Sequence, residues 1–281
     1  MFKRIIARLD CKNNFLVKGI SLEGLRIIGN PKIFANEYYS QGVDEIHYQD
    51  VVASLYNRNS LDEIIETTTK NIFVIISVGG GVRSEADIDK VLRLGADKVS
   101  INSAALKDKN LLRKVVDRYG SSTISINIET NKINGKYEVL TESGREKSGV
   151  ELFNWIEEVQ KIGVGEIIVT SISNEGKRKG LNVELYKKLR KEVSVPLLAH
   201  GGAGSYDHIL ELFKESDVDG VLLASMLHYD LIKKIDKDKN LEEDGANVFI
   251  KNFTSNENQS FNIQDLKKFL LKNNIDVRYE S

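Results

Sequence analysis

Eight apolar runs of six to eight residues, several rich in valine and isoleucine, are spaced along the chain. They are RIIARLD (4–10), DEIHYQD (44–50), IFVIISV (72–78), DKVSIN (97–102), STISINIE (122–129), EIIVTSI (166–172), VPLLAH (195–200) and DGVLLAS (219–225). Each is short enough for a strand. The segments between them, such as NPKIFANEYYSQG, SEADIDKVLRLG, GVELFNWIEEVQKIG and NVELYKKLRKEV, place apolar residues at helical period, open on Asn or Ser and close on Gly. Strict β-then-α alternation predicts a parallel sheet with right-handed crossovers, and eight units is the count that closes a (β/α)8, or TIM, barrel. An open doubly wound sheet is the competing architecture.

The pattern repeats halfway. Aligning Gly80-Gly81 with Gly201-Gly202 brings Glu45 of GVDEIHYQD onto Glu166 of GVGEIIVTS, and Asp10 at the end of the first strand onto Glu129 at the end of the fifth. With one inserted residue, Asn102-Ser103 falls on Ala224-Ser225. Two homologous half-barrels follow from this. The repeated glycine turns, SVGGGVRS and AHGGAGS, each follow a strand and precede a helix. Bare backbone there lets a phosphate oxygen approach N–H groups at the positive end of the helix. Two such turns on opposite sides of the mouth imply a ligand with a phosphate at each end.

Composition narrows the class. The 281 residues suit either two ordinary domains or one barrel, and the repeat favours a single barrel over residues 1–281. Forty Lys plus Arg against 41 Asp plus Glu leave a net charge of -1, so no global field recruits nucleic acid or an anionic membrane. A single cysteine, Cys11, fits a reducing compartment, and no apolar stretch is long enough to span a bilayer. A cytoplasmic protein is expected. Residues 236–260 are rich in Lys, Glu and Asn and read as a polar insertion before the last helix.

VGGGVRS, GADKVSINSAA, GVGEIIVTSI, HGGAGS and the opening RIIARLD with VKG together resemble the cyclase subunit family of imidazole glycerol phosphate synthase, over nearly the whole chain. The resemblance implies a barrel that takes ammonia from a separate glutaminase subunit in a heterodimer. That ammonia attacks a bisphosphorylated ribulosyl aminoimidazole carboxamide, yielding imidazole glycerol phosphate and aminoimidazole carboxamide ribotide. Asp10 and Glu129 take the catalytic positions. Phosphate positions fall on Gly81, Asn102, Ser103, Gly176, Gly202, Ala224 and Ser225, and Lys18 lies in a loop that closes over substrate; Asp50, read from its own place at a strand end, is expected to help position the ligand. Arg4, Glu45, Lys98 and Glu166, at strand starts, correspond to a salt-bridge ring that gates ammonia. No metal or other cofactor is implied.

Departures from the family cluster near the reaction centre. The second catalytic position is Glu129 where the family has Asp, Glu175 also replaces an Asp, His200 replaces a Ser, and Arg8 replaces a small residue. Strand alternation sets Arg8 on the face of Arg4 and Asp10, and Ser125 and Asn127 on the face of Glu129; Arg8 is expected to pair with Glu129. These changes resemble a sister branch tied to surface polysaccharides, which implies a sugar amidotransferase as a further partner. A non-catalytic ammonia conduit or scaffold is the third reading.

Overall fold

The computed structural model describes residues 2–53, 61–234 and 261–279. Eight parallel strands form a closed ring: β1 (Arg4–Lys12), β4 (Glu45–Asp50), β5 (Ile75–Gly79), β6 (Lys98–Ile101), β7 (Ile124–Ile133), β10 (Glu166–Ser171), β11 (Leu197–His200) and β12 (Gly220–Leu223). Each pairs in parallel with the next, and β12 returns to β1 through Arg4 opposite Gly220 and Ala7 opposite Leu223. Every predicted strand is present, with ends shifted by a few residues.

Helices cover the outside, and their ends follow the sequence signals. Ser84 caps the helix Glu85–Arg93 by accepting from Asp87 N–H, and Ser205 caps Tyr206–Ser216 by accepting from His208 N–H. Gly163, left-handed at φ 98°, ends Leu152–Ile162. The main core lies between helices and sheet, where Ile5, Leu9, Ile46 and Tyr48 are fully buried. The alternate residues face the barrel axis, and here the two sides differ. Ile6, Ile168, Leu198 and Leu222, on β1, β10, β11 and β12, form a small apolar cluster. The inward positions of β4 to β7 are polar: His47, Gln49, Ser77, Ser100, Ser125 and Asn127, all buried.

Two antiparallel hairpins rise from equivalent points of the half-barrels. The first, β2 (Phe15–Ile20) and β3 (Glu23–Gly29), follows β1; the second, β8 (Lys136–Thr141) and β9 (Glu146–Glu151), follows β7. Lys18 therefore sits in a strand, not in an open loop, and is only 2% exposed. The hairpins meet over the mouth through Leu22, Leu140 and Ile172. The polar insertion expected at 236–260 lies outside the described residues.

Candidate active site

At the carboxyl ends of the strands, Asp10 and Glu129 are both buried and have opposite proton affinities. Burial alone would raise Asp10, but the charges of Arg8 and Lys18 outweigh it and hold the carboxyl at about 2. Arg8 Nε donates to Asp10 Oδ1 at 2.8 Å, and Lys18 Nζ lies 3.9 Å from Oδ2. Arg8 thus pairs with Asp10 and not with Glu129. Burial pushes Glu129 up to about 7 against the opposing pull of Arg8, and its Oε2 is without a hydrogen-bond partner. At neutral pH Asp10 is therefore ionised, while Glu129 is close to half protonated.

Lys18 forms a short ion pair with Glu175, whose Oε2 also accepts from Leu22 N–H at 3.0 Å. The carbonyl of Glu175 accepts from Ser21 N–H at 3.0 Å. The first hairpin is thereby latched to the segment after β10. Beside it, His200 Nδ1 is 3.1 Å from the Leu222 carbonyl, so Nδ1 carries the proton and Nε2 presents a buried lone pair without a partner. Burial and the nearby Arg8 charge keep this ring neutral, its pKa well below the usual histidine range.

Both glycine turns have the geometry their sequence implies. Gly80, Gly81, Gly201 and Gly202 all have positive φ, between 72° and 107°. A Cβ on Gly80 would sit 2.2 Å from the Asp50 carbonyl oxygen, and one on Gly202 would sit 2.1 Å from that of Gly180. Ser103 and Ser225 each open a helix after the neighbouring strand. The cradles nevertheless differ in openness. The first borders a cavity of about 390 Å³ whose walls include Asp50, Gly81, Asn102, Ser103 and Glu129. The second, bordered by Glu175, Gly176, His200, Gly202, Ala224 and Ser225, encloses about 10 Å³. That is room for about one water molecule. The hairpin is the reason: Gly176 lies against Gly19 and Ile20, where a Cβ would meet the Gly19 oxygen at 2.6 Å.

Sequence reasoning missed Arg83 and Lys107 at the first cradle and Arg178 at the second. Arg83 and Arg178 lie within the motifs VGGGVRS and SISNEGKRKG, so a cation beside each glycine turn was the available signal. The turn residues Glu142 and Ser143 of the second hairpin also line the first cavity, with Glu142 N–H donating to Ser103 Oγ at 3.2 Å. No short-range pattern marks them.

At the opposite end, Arg4, Glu45, Lys98 and Glu166 close a ring. Arg4 bridges Glu45 at 3.2 Å and also Glu166, while Lys98 bridges Glu45 at 3.1 Å and Glu166 at 3.3 Å. The acids are the more deeply buried members, and burial raises Glu45 above the usual carboxylate range despite Lys98.

Comparison with known proteins identifies the family. A family model described as "Histidine biosynthesis protein" matches residues 4–233. The chain is 49% identical over 205 residues to the imidazole glycerol phosphate synthase subunit HisF of Legionella pneumophila, covering 73% of this chain and 97% of that protein. It is 37% identical to the HisF subunit of Sulfurisphaera tokodaii over 98% of both chains, and 36% identical to that of Bifidobacterium longum over 87% of this chain and 98% of the relative. With its closed barrel and doubled glycine turns, the chain belongs to the histidine biosynthesis protein family, among the HisF subunits of imidazole glycerol phosphate synthase.

Proposed function

We propose that this chain is the cyclase barrel of an imidazole glycerol phosphate synthase, and that its chemistry runs between Asp10 and Glu129. The observation that carries the reading is a pair of buried carboxyl groups with separated proton affinities, flanked by two glycine cradles. The cradles hold the two phosphates of the ribulosyl aminoimidazole carboxamide substrate. As ammonia attacks, its nitrogen must lose a proton, and the departing oxygen or nitrogen must gain one. Ionised Asp10 accepts the first, and protonated Glu129 donates the second. Lys18, freed from Glu175 when substrate enters, is placed to meet a phosphate or oxyanion. Product formation by the purified chain with ammonium chloride, without any glutaminase, tests the reading.

The acid role fixes a pH dependence. Glu129 with a pKa of about 7 is protonated below that value and loses its proton as pH rises through it. Ammonium-supported kcat/KM, corrected for the free ammonia present, falls about tenfold per pH unit on the alkaline side. A profile flat from pH 6 to 9 removes Glu129 from the acid role.

The glutaminase partner binds at the floor. Among the described residues, three of the five exposed large apolar side chains stand at strand starts around the salt-bridge ring: Phe2 at 63%, Phe73 at 79% and Ile75 at 38%. An aromatic anchor beside a charged ring is the composition of a protein interface. Phe73→Asp is expected to weaken glutaminase binding by about 2 kcal/mol, roughly 30-fold in Kd, and to leave ammonium-supported turnover intact. Titration calorimetry checks it, and unchanged affinity moves the interface elsewhere. The ring then stands where ammonia enters, with Lys98 and Arg4 as its movable members.

No helix among the described residues is long and apolar enough to cross a membrane, and the buried, unpaired Cys11 is consistent with work in the cytoplasm. One observation favours a second reading, delivery of ammonia to a sugar amidotransferase: Arg8 occupies Asp10, the base of the cyclase mechanism. Ammonium-supported turnover by the wild-type chain decides between the two.

A further inference from the structure

Arg8 Nη1, Asn127 Oδ1, Thr170 Oγ1 and His200 Nε2 are buried polar atoms without a partner among the described residues. Barrel strands are staggered by about one residue each, so inward side chains of alternate strands share a layer. Leu222 stands opposite Ile6 of β1 and His200 of β11, and Thr170 stands opposite His200 and Glu129. With that stagger, Arg8, Gly79, Asn127 and His200, on β1, β5, β7 and β11, form one layer, and Thr170 lies just above it. Asp10 and Glu129 are one inward step higher on β1 and β7. The glycine turns follow Gly79 and His200 on the two strands between. A ligand stretched from turn to turn therefore passes between the acids and over this layer.

Its three side chains are each fixed by one bond and left open at another atom. Arg8 Nε donates to Asp10 Oδ1 at 2.8 Å, His200 Nδ1 to the Leu222 carbonyl at 3.1 Å, and Asn127 Nδ2 to Gln49 Oε1 at 3.3 Å. The fourth place has no side chain, and a Cβ on Gly79 would meet that same Gln49 oxygen at 2.5 Å. Native interiors rarely leave buried polar atoms open, and here they are open on groups already held still. Arg8 and His200 are also two of the positions at which the sequence departs from the family pattern. The layer is this chain's own.

The open atoms make a set of two donors and two acceptors. Arg8 Nη1 and the Thr170 hydroxyl donate, while His200 Nε2 and Asn127 Oδ1 accept. A primary carboxamide carries the opposite set, two carbonyl lone pairs and two N–H groups. It is also uncharged, which suits a place where Asp10 already balances Arg8 and Glu175 balances Lys18. A carboxylate would add a negative charge beside Asp10 and bring no donor for His200 or Asn127. We propose that this layer reads the carboxamide on the aminoimidazole end of the substrate, with Arg8 and Thr170 on its oxygen and His200 and Asn127 on its nitrogen. The proposal rests on the cyclase reading above and adds to it which group of the substrate is recognised, and by which residues.

Calorimetry on the whole chain compares three ligands: aminoimidazole carboxamide ribotide, the same ribotide without the carboxamide, and the one with a carboxylate in its place. Wild type is expected to bind the first about 100-fold more tightly than either of the others. His200→Leu and Asn127→Leu each cut that preference about fivefold, the worth of one neutral hydrogen bond, while affinity for the ribotide lacking the carboxamide stays near that of wild type. Should the leucine variants fail to fold, Thr170→Val, which keeps the shape of the side chain, makes the same cut. A wild type that binds all three ribotides alike leaves the layer to water alone and overturns the proposal, as do folded variants with an undiminished preference. Ammonium-supported turnover is measured alongside. Turnover without the preference removes this subsite and keeps the cyclase reading, whereas neither turnover nor binding of any ribotide removes both.

Discussion

Asp10→Asn and Glu129→Gln each reduce ammonium-supported turnover by about 10²–10⁴-fold, the usual range for losing a positioned general base or acid. The two variants differ in side effects. Asp10 sits against Arg8 and within 3.9 Å of Lys18, so neutralising it leaves Arg8 buried without its counter-charge. Breaking a buried pair costs about 3–5 kcal/mol of stability, and Asp10→Asn is expected to melt several degrees lower. Glu129 makes no salt bridge among those described, and at its pKa of about 7 it is half protonated at neutral pH. Glu129→Gln should fold at least as well as wild type and should lose the alkaline limb of the pH profile with its activity. Single-turnover measurement on folded protein separates chemistry from stability. A Glu129→Gln chain that keeps a tenth or more of wild-type activity would falsify the assignment.

Binding of the bisphosphate is expected to fail in Gly81→Asp by about three orders of magnitude. Gly81 already has a φ of 72°, a conformation that Asp tolerates better than most residues. Its new carboxylate would face the phosphate position at the mouth of the open cradle. Two unit negative charges about 4 Å apart at an effective dielectric of about 20 repel by roughly 4 kcal/mol, or about 10³-fold in Kd. Calorimetry with the substrate reads the loss directly, and inorganic phosphate at high concentration serves as a probe of the cradle alone. If Gly81→Asp binds the bisphosphate as tightly as wild type, the phosphate does not lie against this turn.

Much of this architecture was legible because it follows from alternation and repetition. The eight runs became eight barrel strands, and the doubled glycine turns became four positive-φ glycines at equivalent points. Strand parity alone placed Arg8 and Asp10 on one inward face. It could not choose Arg8's partner: a residue two positions along the same strand lies nearer than one across the barrel, so Asp10 prevailed over Glu129. The resemblance implied a loop around Lys18, whereas the segment forms a hairpin strand whose pairing with β3 is irregular in register. The contacts that close the second cradle, between Glu175 and the hairpin turn at Ser21 and Leu22, join residues some 150 positions apart. No local periodicity encodes such a contact.

The latched hairpin also bears on timing. The reaction releases two products, each carrying one of the two phosphates. If one product phosphate rests at each cradle, the first faces an open cavity, while the second lies beside the hairpin that Ser21 and Leu22 tie to Glu175. Departure is then expected to be sequential, with the product at the open cradle leaving first and its sibling waiting for the hairpin to unfasten. If lifting of β2 and β3 limits the cycle, viscosity slows the enzyme where a change of leaving group does not.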